Sequence, residues 1–171
     1  MLRLPAALGS ALLLVACGGP RLRGAEFRDD EAHYRIGPVG ARWTPLAVED
    51  QTDLAWRAPS TDAIVQVNAT CDPGADVPLT ALTNHLLAGF TARELRGEGL
   101  VPLDGREALR THVLARLDGV PRELLLYVLK KDGCIYDFAL VTPPGDPFER
   151  ALEGFEPFVS GFRTLGGEAL P

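Results

Sequence analysis

Nowhere in the 171 residues is there an apolar run of the length, about 20 residues, that a membrane-crossing helix needs. Histidine and cysteine are scarce, three of each, and they are scattered without metal-ligand spacing. There is no Cys-x-x-Cys, His-Glu-x-x-His, Gly-x-Ser-x-Gly, phosphate-cradling glycine loop or EF-hand pattern, so the sequence supplies no catalytic residue, metal site or cofactor to assign. Lysine is rarer still. Lys130 and Lys131 are the only two among 17 basic residues, and they face 23 acids for a formal charge of −6. A mildly acidic chain without a basic run is a poor candidate for nucleic acid.

What is present starts at the N-terminus. One basic residue, Arg3, precedes an apolar stretch from Leu8 to Val15 broken only by Gly9 and Ser10. This is the pattern of a secretory signal, which is removed and takes no part in the fold. The segment Leu14-Val15-Ala16-Cys17 resembles the lipobox of bacterial lipoproteins at all four positions. In that family the cysteine sulfur takes a diacylglycerol and the chain is cut before it. The resemblance implies lipidation of Cys17, with the membrane as partner through that lipid. The alternative is an ordinary signal cut near Ala16 that leaves Cys17 as a thiol. A single acyl chain binds a membrane only marginally, whereas two or three hold it there. Gly18 follows the cysteine in place of the aspartate that favours inner-membrane retention in the family, which points to the outer membrane, facing the periplasm. The expected organisation is a signal peptide over 1–16, a lipidated tether over 17–32, one domain over 33–165 and a tail over 166–171. Loss of the signal removes Arg3 and takes the charge from −6 to −7.

With Cys17 consumed, Cys71 and Cys134 remain, and an even count in an oxidising compartment favours a disulfide. In Ala63–Cys71 the odd positions Ala63, Val65, Val67, Ala69 and Cys71 are apolar while Gln66, Asn68 and Thr70 alternate with them. Period two predicts a strand. Cys134 opens another apolar segment directly after Asp132-Gly133.

Asp104-Gly105, Asp118-Gly119 and Asp132-Gly133 recur at one spacing, and Asp-Gly supplies the positive φ angles of tight hairpin turns. They predict an antiparallel meander over 99–103, 106–117, 122–130 and 134–141. In the second of these strands Leu109, Thr111, Val113, Ala115 and Leu117 share one face. Arg106, Arg110, His112 and Arg116 share the other, with Ala108 and Leu114 between them. The last two strands are apolar on both faces, which a sheet needs only when both sides are covered. One covering helix is predicted over 79–97, with Leu79, Leu82, Leu86 and Phe90 at helical spacing and Gly97 as its stop. The other starts at Asp146, read as N-cap with Glu149 completing a capping box, and buries Phe148, Leu152, Phe155, Val159 and Phe162. Pro157 is expected to kink or split it. Short strands are expected around 33–37, 41–46 and 53–59. The fold class is therefore α+β, a mainly antiparallel sheet with helices on both faces.

This order of elements over 33–165 resembles the PsbP-like α/β/α sandwich, shared by the photosystem II extrinsic subunit, a small Ran-binding protein, DcrB-type lipoproteins and effector chaperones of type VI secretion. The resemblance implies a domain that binds proteins or membranes without a catalytic site. It carries no motif from which residues could be transferred, and a Cys71–Cys134 bridge is not general in the family.

Three further features bear on function. Asp137, between Tyr136 and Phe138, is either a functional buried acid or a residue at the exposed strand end or paired with an arginine; the second reading is the expected one. The row Arg106, Arg110, His112 and Arg116 is either an anion or partner surface or a solvated face paired with neighbouring acids. Trp43 and Trp56 read as packing residues and His85 as a surface residue. The expected function is a non-catalytic envelope binding or assembly module of unknown protein partner. An immunity or chaperone protein for a secreted toxin, and an enzyme using Asp137, are the alternatives.

Overall fold

The computed structural model describes residues 21–47, 52–71 and 77–165. Cys17, the signal segment and the tail lie outside them. In chain order the elements are β1 (Arg21–Arg23), β2 (Glu26–Arg28), β3 (His33–Arg35), β4 (Thr44–Leu46), β5 (Leu54–Ala58), β6 (Ala63–Cys71), α1 (Leu79–Leu86), β7 (Phe90–Leu103), β8 (Arg106–Leu117), β9 (Val120–Lys131), β10 (Cys134–Thr142), α2 (Asp146–Ser160) and β11 (Arg163–Thr164). Seven strands form one sheet in the order β4-β5-β6-β10-β9-β8-β7, and β1-β2-β3-β11 form a smaller one. All pairings are antiparallel.

The three Asp-Gly pairs make the meander. Both residues of each have positive φ, 48° and 75° at Asp104-Gly105, 50° and 79° at Asp118-Gly119, and 53° and 76° at Asp132-Gly133. That twist matches the strands on either side. Period two then sorts side chains between two cores. Leu125, Tyr127, Leu129, Tyr136, Phe138 and Leu140 pack with α2 and the small sheet. Leu124, Leu126, Val113, Ala115 and Ala139 pack with Leu86 and Leu87 at the end of α1. The helices therefore cover opposite faces, as the doubly apolar strands require. Each fully buried Leu or Phe contributes roughly 1.5–3 kcal/mol relative to exposure.

Four expectations need correction. Helix α1 stops at Leu86 rather than Gly97: Gly89 takes a φ of 85° and the chain turns directly into β7. Asp146 is not the N-cap of α2. Gly145, with φ 84°, holds that position without a side-chain cap, and its carbonyl accepts from the amides of Phe148 and Glu149. Pro157 does not split α2, which continues to Ser160. The proline costs one hydrogen bond in the last turn, and buried Phe158 and Val159 hold that turn against the core. Finally, the stretch read as tether contains β1 and β2, and Phe27 within it is 1% exposed. The packed region thus takes in residues ahead of 33.

The C-terminal strand is latched by the first Asp-Gly turn. Asp104 Oδ2 accepts from Lys131 Nζ at 2.7 Å and from the Thr164 amide at 2.8 Å. Burial raises the Asp104 pKa, but the bonds from Lys131 and Thr164 outweigh it and hold the carboxyl below the usual range.

Candidate functional site

Cys71 and Cys134 face each other in register on β6 and β10 and are joined by a disulfide. This is the pairing that their count and strand patterns led to. Just inside it lies a polar link between the two sheets. Tyr34 of β3, fully buried, donates its hydroxyl to Asp53 Oδ2 at 2.9 Å, and the Ala69 amide of β6 donates to the same oxygen at 2.9 Å. Burial pushes Asp53 up to about 6 despite both bonds, and burial beside Asp53 drives the Tyr34 hydroxyl far upward. Sequence reading placed Asp53 only at the start of a short strand over 53–59, and nothing local announces its contact with Tyr34, 19 positions away.

Within the arginine row, Arg110 and His112 stand together against α2, which claims them. Arg110 donates to Tyr127 Oη at 2.9 Å and to Glu156 Oε1 at 3.2 Å, and Tyr127 donates to Glu156 Oε2 at 2.7 Å. His112 Nε2 lies 2.8 Å from Glu123 Oε1, and its ring stacks on Phe148 with centroids 4.7 Å apart and planes 3° apart. The other oxygen of Glu123 accepts from the Gly145 amide at 2.9 Å, so this cluster fixes the start of α2. Arg116 donates to the Gly119 carbonyl within its own turn. Arg106 lies apart, lining a shallow depression with Leu79, Leu100, Glu107 and Lys130. Arg110 and His112 are therefore engaged in holding α2, and an anion would have to displace a carboxylate to use them.

Asp137 departs from its expected reading. It lies in the middle of β10, opposite Asn68 on one side and Val128 on the other, and among the described residues it pairs with no arginine. Its Oδ1 is buried without a hydrogen-bond partner among the described residues. Burial raises its pKa to about 7. The folded chain thus retains a proton that the unfolded chain releases from about pH 4 upward, so stability falls as pH rises through 4 to 7 and then levels off. Asp137→Asn is expected to be neutral below pH 4 and to stabilise the protein by about 1–2 kcal/mol above pH 7, the side chain's partial exposure softening the penalty. Denaturant midpoints of both chains at pH 4 and pH 8 check this. A variant less stable at pH 8 would mean that the charged carboxylate has a favourable partner.

No group of three or more His, Cys, Asp or Glu suited to a metal occurs among the described residues. Trp56 is 4% exposed in the main core, and Trp43 packs on α2 at Gly154. His85 is exposed. No helix among the described residues is long and apolar enough to cross a membrane.

The class these features define is an α/β/α sandwich on a mainly antiparallel sheet, of PsbP-like fold. CyanoP, the cyanobacterial PsbP from Synechocystis sp. PCC 6803, superposes with a TM-score of 0.58 at 21% identity, over 89% of this chain and 99% of its own. LpqN of Mycobacterium tuberculosis, a protein involved in cell envelope biogenesis, gives 0.55 at 14% identity over 86% and 90%. A protein from Bacteroides thetaiotaomicron gives 0.57 at 11% identity over 81% of this chain, which spans about half, 47%, of that longer protein. No protein-family model and no curated protein matches the sequence.

Proposed function

We propose that the protein is a lipoprotein of the cell envelope, anchored through Cys17 at the periplasmic face of the outer membrane, and that its domain is a non-catalytic binding or assembly module for a protein partner. The lipobox and the Cys71–Cys134 bridge support export to an oxidising compartment. The shared fold with LpqN, a protein involved in cell envelope biogenesis, is in keeping with such a role.

The observation that carries the binding reading is β7. It is the edge of the seven-stranded sheet, and its residues 91–100 are all exposed. Leu95 and Leu100, at 59% and 57%, are the most exposed large hydrophobic residues described. An edge strand presents unpaired amides and carbonyls to any extended segment that approaches. Register shifts between Thr91 and Gly97 limit regular pairing with β8 to 97–103, and Pro102, which has no N–H, removes a donor near its end. That stretch is long enough to dock a short strand and too short to template aggregation. A photo-crosslinking residue at Leu95 or Leu100, irradiated in intact cells, is expected to capture one reproducible partner. The same probe at exposed Arg150 on α2 is expected to capture none. Equal capture at both, or no adduct at the edge, would count against β7 as the docking edge.

A further inference from the structure

The small sheet carries a charge pattern that the packing does not use. Its middle cross-strand row, Leu22, Phe27, Tyr34 and Thr164, places Phe27 and Tyr34 in the core. The rows on either side turn the opposite way, bringing Arg23, Glu26, Arg28 and Arg35 to the outer face, all exposed. Arg163 adjoins Arg35 but folds back on the Ser160 and Phe162 carbonyls and toward Asp104.

Most arginines in this acidic chain are claimed. Arg42, Arg57, Arg96, Arg110 and Arg122 pair with carboxylates, and Arg93 and Arg116 cap carbonyls. Among the described residues, the arginines whose side chains make no ion pair or hydrogen bond are Arg23, Arg28, Arg35, Arg106 and Arg150. Three of those five stand together on one face barely three residues long in each strand. Glu26 sits within that face. Asp29, Asp30 and Glu31 form the turn at its end, where Asp29 Oδ1 is occupied by the amides of Glu31 and Ala32.

The same sheet is the part of the fold that follows the anchor. β1 begins at Arg21, four residues after Cys17. Even fully extended, four residues reach about 14 Å. A face so tethered stays within reach of the headgroups at all times.

From this we infer that the outer face of the four-stranded sheet rests on the anionic phospholipid headgroups of the membrane that holds the anchor, with Arg23, Arg28 and Arg35 against the phosphates. The inference rests on the anchor reading above, since the tether is what brings the face to the surface. Docking in this way fixes the orientation of the domain, so that the lipid and the arginines act as two signals on one membrane.

The test is flotation of the full chain with vesicles, with Cys17→Ser used to remove the lipid. Each arginine near an anionic surface raises partition about fivefold, so three arginines less Glu26 predict up to roughly 25-fold stronger binding to phosphatidylglycerol-containing vesicles than to pure phosphatidylcholine, the acids of the 29–31 turn lowering it. High salt is expected to abolish the difference. The triple variant R23E/R28E/R35E is expected to lose it. R23Q/R28Q/R35Q is expected to lose most of it and serves if charge reversal impairs folding, as circular dichroism will show. Equal binding of the Cys17→Ser chain to both vesicles, or an anionic preference that survives in the triple variants, overturns the inference. The natural lipidated chain reports on the anchor separately: it is expected to float even with phosphatidylcholine alone. Failure there removes the anchor and leaves the arginine comparison readable.

Discussion

Replacing both Cys71 and Cys134 with Ser is expected to lower stability by about 4 kcal/mol, the chain-entropy value for closing a loop across a sequence separation of 63. The two residues are direct register partners on β6 and β10, at the junction where the β4-β5-β6 strands meet the meander. Without the covalent link, the unfolded chain regains the freedom of every residue between them, including α1, β7, β8 and β9. A domain of this size has a net stability of roughly 5–15 kcal/mol, so the loss takes a large share of it. Denaturant midpoints measured with and without reductant check the prediction. The natural chain should shift down on reduction and approach the double-serine chain, which should not respond. A natural chain indifferent to reductant would mean that the bridge does not form.

Gly37→Ala is expected to cost about 3 kcal/mol or more, because no neighbouring side chain can move aside for the methyl group. A Cβ at Gly37 would lie 1.9 Å from the Pro157 carbonyl oxygen and 2.9 Å from that of Phe158. Both are backbone atoms of the last turn of α2. The Gly37 amide also donates to the Phe158 carbonyl at 2.9 Å, so retreat of the segment after β3 would break that bond. Gly161 meets the same contact from the other side, its Cβ position being 2.4 Å from the Gly37 Cα. Gly40→Ala is the control. Its nearest obstacle is Trp43 Cδ1 at 3.6 Å, an ordinary contact, and its effect should be within a few tenths of a kcal/mol. Similar midpoints for the two variants would contradict the close approach.

The elements that were legible in the sequence are those with a buried face. β6 and β8 alternate apolar and polar residues, and their observed bounds are the expected ones. β9 and β10 are apolar on both faces and proved to be covered on both. Of β7 only the end, 99–103, was expected as a strand, and the part before it escaped notice for the opposite reason. Its residues 91–100 are exposed on both faces, so alternation left no mark, and the leucine spacing of α1 ran on into it past Gly89. β1 and β2 are three residues each, too short to show a period, and only Phe27 between two charged residues hinted at packing.

The candidate site divides in the same way. That Arg110 and His112 stand together follows from strand geometry alone. Their engagement does not, because Glu156 lies on α2, 46 positions from Arg110, and nothing local announces it. The cysteine pairing was readable because one strand pattern ends on a cysteine and another opens on one. Asp137 was read as exposed or paired because a lone buried carboxylate is costly, and the chain bears that cost as a retained proton instead.

The central claim is that Cys17 carries a lipid on an exported chain. Mass spectrometry of the N-terminal peptide of the natural protein, taken from the membrane fraction, tests it most directly. The account predicts a chain beginning at Cys17 with a diacylglyceryl group on its sulfur, and Cys71 and Cys134 joined. A soluble cytosolic chain retaining residues 1–16, with all three thiols free, would contradict it.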